Sequence, residues 1–260
     1  MKRIRLFLIV ILSVLLTVGS SACRADRSEM LTSGDVTKEN EAQVYEILRS
    51  AKLSNIDIFE TWVRDSIHGN PNDASESSGF SDANCRMTVM LLAGDLIRYD
   101  SVEETYTGDY LMFDLDAIEN KKEYGILKDK EKLFTTMFGE MPISENGFAE
   151  SLADRWNKHG IRVDSEKCSV ISILFKAYER EEAFVGHTGI LIDCRDNRDV
   201  GSDYVFVEKI AFGDPFRITF VTDKDELIDI LSKREDYSVE DGDPAPAVYC
   251  NSQRIGELKR

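Results

Sequence analysis

The chain predicts an α+β fold, on two observations. Apolar residues recur at helical spacing through the first 160 positions. From Ser169 onward, β-branched and aromatic runs alternate with polar turns. Helices first and an antiparallel meander after is the α+β order. About 220 residues follow the N-terminal segments, enough for one domain with a sizeable core. They hold no internal repeat and no Pro-rich or Gly/Ser-rich linker.

Glu41 to Lys52 places Val44, Tyr45, Ile47 and Leu48 on one helical side, and Asn55 to Ile67 repeats the pattern through Ile58, Phe59, Trp62 and Val63. His68 to Ala83 is rich in Gly, Asn, Ser and Asp and reads as a loop, long enough to act as a lid. Cys85 to Tyr99 is helical around an apolar centre, Val89 to Ala93, with Asn84 or Asp82 able to cap its start. Thr105 to Phe113 reads as a short strand, and Asp114 to Asn120 and Glu131 to Phe138 as short helices. Gly147 to His159 is a clearer helix that ends at Gly160 as its C-cap. The meander comprises Ser169–Tyr178, Phe184–Asp193, Tyr204–Phe212 and Phe216–Val221. Helix returns over Thr222 to Arg234, and Ala247 to Cys250 adds a short edge strand.

The N-terminus has the form of an export signal over residues 1–22. Lys2, Arg3 and Arg5 precede an apolar run from Leu6 to Val18 and a small-residue zone, Gly19-Ser20-Ser21-Ala22. That run is too short to favour a permanent span. Cys23 follows directly, as the lipid acceptor of a bacterial lipoprotein does, which implies anchoring at the extracytoplasmic membrane face. Ser20 stands where such signals usually carry a Leu-type residue, so plain cleavage is the alternative. Residues 23–40 read as a polar tether and 41–260 as the domain.

The formal charge is −16, and loss of residues 1–22 removes three basic residues and no acid, leaving about −19. This excludes nucleic acid and anionic lipid surfaces as electrostatic partners. An exported chain meets an oxidising compartment, so its cysteines need explaining. Cys168 and Cys194 fall on two strands of an expected hairpin, where a cross-strand disulfide is feasible, the alternative being two half-buried thiols. Cys250 has no evident partner, and pairing it with Cys85 would remove any chemistry from Cys85.

Chemistry is concentrated in a cysteine and a histidine about a hundred residues apart. Cys85 starts a helix, where free N–H groups and the macrodipole stabilise a thiolate; Arg86 adds positive charge. The Cys85 backbone N–H and the Asn84 side chain are candidate oxyanion donors. The alternative for Cys85 is a buried core cysteine. His187, in Gly186-His187-Thr188-Gly189-Ile190-Leu191, is the candidate base, with space beside both glycines for a substrate or a second backbone. Its alternative is a structural histidine. His68 and His159 read as solvated. Glu208 shares strand parity with Tyr204, Phe206 and Ile210, which puts its carboxylate on an apolar face as the group that orients the imidazole. Asp193 and Asp214 are rivals near strand ends, and an exposed Glu208–Lys209 pair is the alternative reading. No zinc spacing, phosphate-binding glycine loop or Gly-x-Ser-x-Gly is present, so no metal and no cofactor are expected. Asp114-Leu115-Asp116 with Glu119 reads as a helix start.

Four segments in order, Asn84-Cys85-Arg86-Met87-Thr88, Phe113 to Asn120, Gly186 to Leu191 and Phe206 to Phe216, resemble a family of exported bacterial proteins, often called lipoproteins, known as domain of unknown function 4300. The resemblance spans about residues 41–250 and implies no activity. More loosely, helix-start cysteine, then Gly-His-Thr-Gly-Ile-Leu-Ile on a strand, then a polar residue on the next strand resembles the papain-like cell-wall peptidases of the NlpC class. That likeness implies a papain-like core with Cys85 as nucleophile, His187 as base and Glu208 as orienting group. Asn84-Cys85-Arg86 departs from the Asp- and Ser-rich cysteine motif of that class, and the Cys85–His187 interval is longer. The function expected is a surface-tethered cysteine hydrolase cleaving an amide, in cell-wall peptide or another extracellular peptide. The alternative is a non-catalytic extracellular binding lipoprotein.

Overall fold

The computed structural model describes residues 31–68, 83–177, 180–211, 213–237, 239 and 242–259. The expected export signal, Cys23 and residues 69–82 of the expected loop lie outside them. The chain joins the fold earlier than its polar composition suggests. Gly34–Asp35 (β1) pairs with a sheet strand, and Val36 is buried, so residues 31–40 are not all tether.

The helices follow the apolar spacing. In α1 (Glu41–Ser50) the buried residues are Val44, Tyr45, Ile47 and Leu48, one face of a 3.6-residue period. α2 (Ile56–His68) buries Phe59, Trp62 and Val63. α3 (Cys85–Ala93) is buried along its whole length, as its apolar centre requires. α4 (Met112–Asn120), α5 (Glu131–Phe138) and α6 (Ser151–His159) follow, and Gly160 ends α6 in the left-handed conformation at φ 62°. Ile97–Arg98 (β2) pairs separately with Arg162–Val163 (β4).

Thr105 to Phe113 is not a strand. Residues 101–111 form no ladder, because Glu140 holds the segment from the side. Its carboxylate accepts from Tyr106 Oη and from the backbone N–H groups of Asp109 (2.9 Å) and Tyr110 (2.6 Å).

The main sheet is antiparallel. Besides β1 it contains Met141–Pro142 (β3), Cys168–Lys176 (β5), Glu182–Asp193 (β6), Tyr204–Lys209 (β7), Phe216–Val221 (β8), Ala247–Cys250 (β9) and Gln253–Glu257 (β10). The order is β1-β8-β7-β6-β5-β9-β10, with β3 added on β6. β5 to β8 are sequential neighbours, the expected meander. β9 is not an edge, because β10 covers it. α7 (Lys224–Leu231) is capped by Asp223, whose side chain accepts from Glu226 N–H at 2.8 Å. Helices α1 to α6 pack on one face of the sheet, around Val170, Ile190, Ile192, Val205 and Val207. α7 packs on the other, around Ile171, Leu191, Phe206 and Val248.

Two features of β6 position the histidine. First, Ile173 pairs with His187 but Leu174 pairs with Val185, so Gly186 is an extra residue that makes a bulge. The bulge turns Val185 to the α1–α6 face while Leu191 stays on the α7 face. Strand alternation alone would put Val185 on the same face as His187, and the bulge breaks that alternation. Second, the β6–β7 ladder runs only from Asp193–Tyr204 to Ile190–Val207, and β3 takes up the same edge of β6 at Ala183 and Glu182. Between them β6 has no strand neighbour on that side among the described residues.

The disulfide expectation is also corrected. Cys168 stands opposite Ile192, Cys194 lies past the end of β6, and both are free and buried. Burial pushes their thiols up, to about 12 and about 11.

The space at Gly189 is filled by protein. An added Cβ would come within 2.5 Å of the Phe206 ring and 2.8 Å of the Val207 carbonyl oxygen. Gly189→Ala is expected to lower stability by about 1–3 kcal/mol. Gly125→Ala, which meets open space, is expected to stay within about 0.5 kcal/mol of wild type. The urea unfolding midpoints of the two variants check this.

Candidate functional site

The open stretch of the β6 edge is occupied by the start of α3. Arg86 Nη1 donates to the Val185 carbonyl at 3.4 Å, and the Thr188 N–H donates to the Cys85 sulfur. The helix thus takes the place of the missing strand. It brings Cys85, from the α1–α6 layer, against His187, whose ring lies beside Phe206 and Tyr237 on the α7 side, with centroids at 6.5 and 5.5 Å.

Asn84 sets where α3 begins. Its Oδ1 accepts from Met87 N–H at 3.1 Å, and its Nδ2 donates to Asp114 Oδ1 at 2.6 Å. Both ends of the amide are engaged, so Asn84 holds the helix start, and its amide is not aimed at a substrate oxygen as an oxyanion donor would be. The first-turn N–H groups of Cys85 and Arg86 have no acceptor within the helix and are the donors the fold leaves for that task.

Asp114 is buried and binds Arg86 with both oxygens, at 3.1 Å to Nε and 2.9 Å to Nη2. Arg86 also lies over the Tyr110 ring, 5.0 Å from its centroid. The sequence pattern assigns Asp114 to a helix start. It is in the first turn of α4, but its work is the charge of Arg86. Among the described residues no group of three or more His, Cys, Asp or Glu is arranged to hold a metal ion.

His187 and Glu208 meet across the α7 face. His187 Nε2 and Glu208 Oε2 are 2.6 Å apart, and both side chains are buried. Glu208 is not the exposed half of a Glu–Lys pair. Arg234, just after α7, donates to both of its oxygens, at 2.8 Å from Nη1 to Oε2 and from Nη2 to Oε1, and Nη1 also reaches Tyr237 Oη at 2.9 Å. Of the rivals, Asp193 is engaged by Arg195, and Asp214 presents its carbonyl to Lys209. Lys209 is itself buried and donates to Ala211 and Asp214 carbonyls. Burial pushes its ammonium down to about 8.

The titration of the site is set by these contacts. Burial alone would raise the Cys85 thiol. The imidazolium beside it, the hydrogen bond to His187, Arg86 and the Thr188 N–H outweigh burial and hold the thiol below its ordinary value. Burial works against the His187 cation, but Cys85 and Glu208 raise it to about 9. Burial also opposes the Glu208 carboxylate, yet hydrogen bonds from His187 and Arg234 bring it down to about 2. With Nε2 engaged by Glu208, the other ring nitrogen, Nδ1, is left for the sulfur.

The structure therefore brings Cys85, His187 and Glu208 together. Cys250 stands opposite Ile171 on β5 as a free thiol. His159 is buried, not solvated, with Nδ1 3.0 Å from Ser101 Oγ. Asp114, Arg234, Tyr237 and Lys209 were missed. For Lys209 and Asp114 a signal existed, a charge inside an apolar run. For Arg234, after a polar helix end, none did.

The protein is of the mixed class, helices with an antiparallel sheet, and carries a buried Cys85–His187–Glu208 set. Residues 64–255 match the family described as domain of unknown function (DUF4300), and the chain belongs to that family. No curated protein and no solved structure matches it.

Three outcomes are expected. Iodoacetamide alkylation of Cys85 rises with thiolate, so its midpoint should lie below the ordinary thiol range. His187→Ala, which removes the cation that persists up to about pH 9, should move that midpoint upward. Peptide mass mapping across pH reads both. Asp114→Ala leaves the Arg86 charge buried without its partner and should cost about 3–5 kcal/mol by chemical denaturation.

Proposed function

We propose that this protein is a cysteine hydrolase with a papain-like arrangement, acting on an amide and tethered to the extracytoplasmic membrane face through a lipid on Cys23. The observation that carries the reading is the 2.6 Å contact of His187 Nε2 with Glu208, with the Cys85 thiol within hydrogen-bonding reach of the same imidazole. That is the nucleophile–base–orienter geometry of nucleophilic catalysis.

The steps are set by the atoms present. The Cys85 thiolate attacks the carbonyl carbon, forming the S–C bond, while the first-turn N–H groups of α3 receive the developing oxyanion. The imidazolium gives its proton to the amide nitrogen, the C–N bond breaks, and the amine leaves. His187 then takes a proton from water as it attacks the thioester, the S–C bond breaks, and the acid leaves with the thiolate–imidazolium pair restored. Glu208, kept ionised by Arg234, holds the imidazole orientation throughout. The peptide bonds of cell-wall or other extracellular peptides are the substrate class that the export signal and the resemblance to NlpC-class enzymes favour.

The near-complete burial of Cys85 and His187, 3% and 2% exposed, favours a second reading, a non-catalytic binding lipoprotein that keeps the pair for packing. A broad amide library separates the two. Hydrolysis by wild type should fall to background in Cys85→Ala and by about 10²–10⁴-fold in His187→Ala. Equal background turnover by wild type and Cys85→Ala would move the assignment to the binding protein. Lipid attachment is checked separately, by the mass of the N-terminal peptide from a membrane fraction.

A further inference from the structure

Four aromatic rings follow one another along the side of the Cys85–His187 pair. Tyr110, under Arg86, lies 4.3 Å from Phe184, centroid to centroid. Phe184 is stacked 5.9 Å from Phe175, and Phe175 is 6.1 Å from Tyr237, the ring beside His187. The run starts at the residue after the nucleophile and ends at the base. All four rings are half-buried, in contrast to the fully buried aromatics of the core.

Gly186 makes this surface possible. An added Cβ there would stand 2.5 Å from the Phe175 ring and 3.3 Å from Phe184. The bulge that places His187 is thus the hollow into which the rings lean. The two glycines beside His187 suggest space for a substrate or a second backbone, and side chains fill it instead. The charges near the rings are already neutralised, Arg86 by Asp114 and Arg234 by Glu208. Among the described residues a carboxylate arriving here would find both adjacent guanidinium groups already paired, whereas an apolar side chain would gain ring surface on leaving water.

We propose that the Tyr110–Phe184–Phe175–Tyr237 surface is the specificity subsite of the enzyme, and that it receives a large apolar or aromatic side chain on the acyl side of the scissile amide. The inference rests on the cysteine-hydrolase reading and narrows it to apolar acyl groups. The run flanks the reacting pair at both ends, since Tyr110 lies under Arg86, next to the nucleophile, and Tyr237 lies beside the His187 ring.

Chloromethyl ketones of N-acetyl-Phe, -Leu, -Gly and -Asp test this on the full chain. The Cys85 thiolate displaces chloride, forming an S–C bond that peptide mass mapping locates. Rates are divided by the iodoacetamide rate of the same protein, which removes differences in thiol reactivity. The Phe and Leu probes are expected to label Cys85 about tenfold or more faster than the Gly probe, with the Asp probe no faster than Gly. Phe184→Ala, and separately the milder Phe184→Leu, should shrink the Phe-over-Gly ratio. Equal normalised rates for Phe, Leu and Gly, or a preference for Asp, would overturn the subsite while a His187-dependent iodoacetamide reaction left the Cys–His pair standing. An iodoacetamide rate indifferent to His187→Ala would overturn the hydrolase reading and the subsite with it. The wild-type probe series decides the matter even where a variant fails to fold.

Discussion

The site depends on an interruption in one ladder. β6 is long, but β7 leaves its edge after the Ile190–Val207 pair and β3 returns to that edge only at Ala183. Strand backbone left bare inside a core is costly. The start of α3 meets part of that need, through Arg86 to the Val185 carbonyl and through the Thr188 N–H to the Cys85 sulfur. A helix N-terminus is rich in unpaired N–H groups and positive potential. Putting one against an open strand edge satisfies the strand and readies a thiolate in one arrangement.

Two buried acid–arginine pairs bracket that arrangement. Asp114 neutralises Arg86 on the cysteine side, and Arg234 neutralises Glu208 on the histidine side. Neither is evidence of added stability, since desolvation offsets much of the Coulomb attraction. What they supply is position. Asp114 also holds Asn84, so the first residue of α3 cannot slide, and Arg234 ties α7 to the carboxylate that fixes the imidazole. Cys85 comes from α3 on one face of the sheet, the His187 ring lies on the other, and each side carries its own clamp.

Most helices and the central meander were legible from spacing. Val44, Tyr45, Ile47 and Leu48 share a face because 3.6 residues make a turn, and that holds whatever the neighbours are. Glu208 was found by parity on β7, which has no bulge. The same reasoning failed where a local count was broken. Gly186 adds one residue to β6 and moves Val185 to the opposite face. Strand identity puts Cys168 and Cys194 on adjacent hairpin strands but does not set their register, which places Cys168 against Ile192. Thr105 to Phe113 has strand-like composition, but the Glu140 carboxylate, some thirty residues later, captures its N–H groups.

Residue type and local period thus determined by themselves the α+β class, the helix start at Cys85 and the three side chains able to form a Cys–His–Glu set. Those properties depend on neighbours within a turn or two along the chain. Only the tertiary structure decided that the three meet, that Asn84 is committed to Asp114, and that Arg234 and Tyr237 close the histidine side. These depend on where a ladder stops and on which distant charge is buried beside which. Contacts made across dozens of residues are selected by the packing of the whole core, and no local period records them.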